Sequence, residues 1–121
     1  MKIFTVLCVF SHNDVLGASV LTLGDSLPLI EITDESDDSL NLAREMCHNY
    51  MGIDKGWPLD YEQVGVFEVG GSEKNLYVVY SLYFPDINAT RAGAFWKKIN
   101  DIDELETIYG NIVRYTAIKR Y

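Results

Sequence analysis

Asp37, Asn41, Glu45 and His48 recur at helical spacing in one stretch of the chain. At 100° per residue they fall within about 80° of one another on one helix face. Two carboxylates and an imidazole make Asp37, Glu45 and His48 a candidate metal set. Mg²⁺ takes hard oxygen ligands, so this mixed set suits a softer transition metal better. A solvated helix face gives the same pattern with no metal at all.

Other reactive side chains lack a chemical context. Ser11 and Ser81 have neither a nucleophile elbow nor a triad around them. His12 follows the first strand and reads as a surface histidine in a turn. Gly70-Gly71-Ser72 has no helix behind it, so it reads as a hairpin loop rather than a phosphate cradle. Trp57, Tyr77, Tyr83, Phe95 and Trp96 include candidates for stacking on a nucleobase; the sequence does not select a pair. Arg91, Lys97 and Lys98 read as solvated cations rather than phosphate contacts.

The elements that must position these residues follow from periodicity. Strands are expected at Ile3–Phe10, Val15–Leu23, Leu27–Ile32, Glu62–Val69, Asn75–Phe84 and Ala94–Ile99. Asn75–Phe84 is apolar on both sides, as a central strand covered on two faces would be. The period changes to helical over residues 36–51, where Leu40, Ala43, Cys47, Tyr50 and Met51 share a face. Asp34 or Ser36 would cap this helix, and Gly52 would stop it. Two further helices are expected at Asp101–Tyr109 and Asn111–Tyr121, the second with Ile112, Tyr115 and Ile118 on its apolar face. The order β-β-β-α-β-β-β-α-α implies an α+β domain over residues 1–121. Its mixed sheet would lie between the residue 36–51 helix and the C-terminal one.

The 121 residues carry 18 acids against 10 Lys and Arg, a net charge of −8. That balance disfavours direct nucleic-acid binding and anionic membranes. The acids are unevenly placed. Glu31, Asp34, Glu35, Asp37 and Asp38 fall within eight residues, whereas residues 107–121 hold three basic residues and no acid. Acids just before a helix suit its positive N-terminal end. Cys8 and Cys47 sit in apolar segments and read as buried free thiols. No segment approaches the ~20 apolar residues of a membrane span, so a cytoplasmic location is expected.

The run Leu27-Pro28-Leu29-Ile30-Glu31, then Arg44-Glu45-Met46, then Gly52-Ile53 resembles the loop–helix–loop of the Nudix hydrolase family. Val64-Gly65-Val66-Phe67-Glu68 is similar to the family's following strand. Phe95-Trp96-Lys97-Lys98-Ile99 with Asp103-Glu104-Leu105 is similar to its ending. The resemblance implies a Nudix-like mixed sheet sandwiched between helices. It also implies Mg²⁺ as the cofactor of any hydrolysis, held by helix glutamates. The paired glutamates of that pattern are missing. Aligned on Arg44-Glu45, their places hold His48 and Asn49, with Ser36 upstream; aligned on Gly52-Ile53, they hold Asn49 and Tyr50, with Asp37 upstream. Leu29-Ile30 replaces the family's Gly-Gly.

The box is therefore degenerate, with Glu45 as the one catalytic candidate. Arg44, Tyr77 and Trp96 are the ligand-contact candidates. The expected function is a Nudix-fold protein with little or no hydrolase activity that binds a nucleotide-like small molecule or a protein partner. A divergent Mg²⁺-dependent hydrolase is the alternative. A third reading is an acidic interaction protein whose Glu31–Asp38 run imitates a polyanion.

Overall fold

The structure, a computed structural model, describes residues 1–13, 17–70, 74–85 and 89–120. The described residues form a six-stranded sheet. Its strands are β1 (Lys2–Asn13), β2 (Gly17–Leu23), β3 (Leu29–Glu31), β4 (Glu62–Val69), β5 (Asn75–Phe84) and β6 (Ala94–Lys98). The order is β4-β5-β1-β2-β6, with β3 also paired to β1. β1 and β5 run parallel, in register from Lys2↔Asn75 to Ser11↔Phe84; the other pairs are antiparallel. Two α-helices, α1 (Ser39–Met51) and α2 (Thr107–Arg120), cover the sheet, and a 3₁₀ segment at Ile99–Glu104 leads into α2.

Alternation along β1 divides the interior. Leu7 and Val9 face α1, where they pack with Leu21, Ala43, Met46, Cys47, Tyr80 and Leu82. Val6, Cys8 and Phe10 face α2, with Val20, Tyr77, Val79, Ile112 and Val113. β5 alternates in the same sense. It is covered on both faces, as its two apolar stripes require. No α-helix among the described residues is long and apolar enough to cross a membrane.

Several boundaries differ from expectation. β1 runs on to Asn13, so His12 is in a strand, not a turn. The expected third strand shortens to Leu29–Glu31, while Leu27 is fully buried in the α2-side core. Main-chain bonds extend that pairing slightly: the Leu7 N–H donates to the Pro28 carbonyl and the Ile32 N–H to the Ile3 carbonyl. Gly71, Ser72, Val15 and Leu16 lie outside the described residues.

The first helix starts at Ser39, not Ser36. Asp38 is its N-cap: its Oδ1 accepts from the Leu40 N–H at 3.0 Å and its carbonyl from the Leu42 N–H. Asp34 instead organises the turn before it. Its Oδ1 accepts from the Ser36 N–H and its carbonyl from the Asp37 N–H. The bonds that Ser36 gives its carboxylate, from the N–H first and then the hydroxyl, hold the Asp34 carboxyl below its ordinary value.

The two expected C-terminal helices are a 3₁₀ segment and one α-helix continuous through Gly110. Gly110 is buried within this helix and does not end it; a Cβ there would stand 3.4 Å from the Ile102 carbonyl oxygen, at the edge of ordinary contact. The period-three face also fails. Ile112 is fully buried, but Ile118 is 81% exposed and Tyr115 is exposed too. Three residues advance a helix by 300°, so each step drifts about 60° off the buried face. Tyr109, Ile112, Val113 and Thr116 are the buried set.

Cys8 and Cys47 are free and buried, as expected. Burial pushes both thiols up, against a smaller lowering by Thr116 at Cys8 and by Tyr61 at Cys47.

Two predictions follow from the caps and the thiols. Asp38→Ala should cost about 1 kcal/mol, the usual value of an N-cap, read as a lower urea midpoint at unchanged slope. The folded chain holds its thiol protons more tightly than the unfolded chain. Stability should therefore fall as pH rises above about 8.5, where unfolded cysteines ionise. Urea midpoints at pH 7 and 9.5 check this, and Cys8→Ala should reduce the difference.

Candidate functional site

The α1 residues with chemical potential do not converge. Asp37 precedes the helix, in the turn where its Oδ2 accepts from the Asp34 N–H at 3.2 Å. The 37–41–45–48 face therefore lacks its first member. Asn41 Oδ1 accepts from Arg44 Nη1 at 3.1 Å. Glu45 Oε1 lies 3.9 Å from Lys55 Nζ, with both side chains about half exposed. His48 Nδ1 is 3.0 Å from the Ile53 carbonyl oxygen, an acceptor, so the proton of that bond sits on Nδ1. Among the described residues no three His, Cys, Asp or Glu side chains form a group that could hold a metal ion. The donor set does not fit Mg²⁺, which needs several oxygens at one point. Glu45 alone on this face cannot supply them.

The ligand-contact candidates divide between the two faces of the sheet. Tyr77 belongs to the α2-side core, stacked on Phe4 at 5.3 Å and edge-on to Tyr109 at 6.4 Å. Trp96 is half-buried against the α1-side core. Arg44 lies over the Tyr61 ring, 5.8 Å from its centroid. Burial, and then its contact with Cys47, push the Tyr61 hydroxyl up. Arg44 and Trp96 are thus on one side of the sheet and Tyr77 is on the other.

The end of α1 is held more firmly than its face. Gly52 has φ +71°, the left-handed conformation that closes a helix, and its N–H donates to the His48 carbonyl. Arg91, read from sequence as a solvated cation, is fastened to this end. Its guanidinium donates to the carbonyls of His48 and Asn49, and its N–H to that of Tyr50. A cation there satisfies the helix's last carbonyls and opposes its negative pole. His48 holds the outgoing chain through Ile53. Asp54 then fixes the loop: its Oδ1 accepts from the Gly56 N–H at 2.8 Å, and its carbonyl from the Trp57 N–H.

These contacts shape a cleft of about 400 Å³ lined by Gly52, Ile53, Asp54, Trp57, Leu59 and Phe84. Trp57 is 62% exposed, while Ile53, Leu59 and Phe84 pack on the α1-side core. An exposed indole beside an apolar floor can stack on a planar ring, and the Asp54 carboxylate can accept a hydrogen bond. Sequence reasoning did not single out this cleft. The available sign was Gly56-Trp57-Pro58, a large aromatic residue in a segment with no strand or helix to bury it.

No protein-family model matches the sequence, and no curated protein matches it. Solved structures do. The NUDIX domain of Shewanella oneidensis NrtR, crystallised with ADP ribose, superposes with a TM-score of 0.79 at 12% identity, over 98% of this chain and 88% of that one. The C-terminal domain of mouse MUTYH, in a complex with human PCNA, gives 0.75 at 17% identity, over 99% and 90%. A Caenorhabditis elegans Ap4A hydrolase gives 0.69 at 13% identity, over 100% and 99%. The fold of this chain is Nudix-like: a mixed sheet between α1 and α2, in the arrangement expected from its motifs.

Proposed function

We propose that this chain is a Nudix-fold binding protein with little or no hydrolase activity, and that its ligand is a nucleotide-like molecule seated at the cleft beyond α1. One observation carries the reading: the helix that would hold a catalytic metal offers Glu45 alone, and that carboxylate is paired with Lys55. The cleft supports ring binding through Trp57. The ADP ribose held by the NrtR NUDIX domain supports the nucleotide class.

A protein partner is the second reading. Glu31, Asp34, Glu35 and Asp38 are all exposed within one short segment, and the MUTYH domain of like fold was crystallised with a protein. A basic partner docked on this segment would lose affinity steeply with salt.

Calorimetry with ADP ribose, alongside product analysis with Mg²⁺ present, tests the main reading. Binding without turnover is expected. Trp57→Ala should weaken binding about tenfold or more, since stacking on an aromatic side chain is worth ~1–3 kcal/mol per base. Glu45→Gln should leave affinity unchanged. Mg²⁺-dependent product formation that vanishes in Glu45→Gln would establish a divergent hydrolase instead. If neither ADP ribose nor other nucleotides bind, the ligand reading fails.

A further inference from the structure

A second hollow lies on the opposite face of the sheet from Trp57. It encloses about 330 Å³ and is lined by Phe10, His12, Ala18, Tyr83, Ile99 and Ala117. Its floor is built from two rungs of the sheet. Phe10 pairs with Tyr83 across β1 and β5, and His12 pairs with Ala18 across β1 and β2. Ile99, at the start of the 3₁₀ segment, and Ala117, on α2, supply the remaining walls. Ser11 also borders the hollow, but alternation along β1 turns its hydroxyl to the other face.

The space has a local cause. Earlier in α2, Tyr109, Ile112 and Val113 fill the gap to the sheet with large side chains. At Ala117 the side chain ends at Cβ, and Ala18 on the sheet is equally short. Ala117, half-buried on α2, and Ala18, exposed on β2, thus put two short side chains around this hollow. Phe10, only 4% exposed, seals the floor, while His12 and Tyr83 are exposed at the rim.

The lining also defines what would fit. Among the described residues this lining contains no Lys, Arg, Asp or Glu side chain. Among those residues neither an organic anion nor an organic cation would meet a Lys, Arg, Asp or Glu partner, and the chain carries a net charge of −8. Apolar hollows hold ring-sized apolar molecules, and small-ligand sites of about 300–1,000 Å³ typically combine apolar walls with a few polar groups. The polar side-chain groups here are the His12 imidazole and the Tyr83 hydroxyl. We infer that this hollow is a second ligand site, independent of the Trp57 cleft, for a small uncharged ring molecule carrying one hydrogen-bonding group.

Indole, neutral with a single N–H donor, is a suitable probe for titration into the full chain, followed by amide NMR. Saturable shifts should centre on Phe10, Ala18 and Ala117. Ala117→Leu should fill the hollow and weaken indole binding at least tenfold, while leaving any ligand affinity at the Trp57 cleft unchanged. Ala18→Leu fills the space from the sheet side and serves if Ala117→Leu does not fold. Shifts confined to the Trp57 and Phe84 region, no saturation in the wild type, or undiminished binding in the folded leucine variants would each overturn the inference.

Discussion

The parallel pairing of β1 with β5 is the constraint on which the rest of the molecule depends. It joins ten residue pairs, Lys2↔Asn75 to Ser11↔Phe84, and places the most deeply buried segment of the chain at the middle of the sheet. Val6, Leu7, Cys8 and Val9 are consecutive and fully buried. Consecutive burial in a strand requires cover on both faces. α1 supplies one cover and α2 the other. Because the sheet intervenes, the cleft beyond α1 and the hollow beneath α2 are chemically separate spaces.

Within that frame α1 is a structural element before it is a chemical one. Its start is fixed by Asp38 and its end by Gly52, Arg91 and His48. Charge that could have served a phosphate or a metal is committed to the helix itself: Arg91 to its last carbonyls, Lys55 to Glu45, His48 to the outgoing turn. What is left exposed at this end is an aromatic side chain, Trp57, held on a loop whose main chain is internally bonded. On the reading proposed above, this exposed ring is what a ligand would meet.

The sequence revealed elements better than their ends. The two-sided apolar pattern of residues 75–84 marks β5, and the co-linear order of weak motifs implies the Nudix-like sheet that the fold shows. Helix starts were misplaced because five acids in eight residues offer several plausible caps, and only the bond from the Leu40 N–H selects Asp38. Gly110 misled for a related reason. A glycine in a helical pattern reads as a stop, whereas α2 runs through this one without a break. The candidate site suffered most. A shared face for residues 37–48 requires a helix already formed at Asp37, and no local pattern shows that β5 and β6 turn Tyr77 and Trp96, two of the ligand-contact candidates, to opposite faces. The role of Arg91 depends on a carbonyl more than forty residues away, which no local pattern encodes.

The acidic surplus takes on a different meaning once the helix start is known. Asp34 and Asp38 are occupied in building the turn and cap before α1, so part of the cluster is accounted for by main-chain bonding alone. None of the five acids of the run is on the helix, which starts at Ser39. Glu31, at the end of β3, and Glu35, in the turn, are exposed carboxylates. A fixed backbone presenting exposed charge loses little freedom when it meets a complementary surface. On the second proposed reading these carboxylates would meet a positively charged partner before the start of α1, away from the cleft beyond its other end.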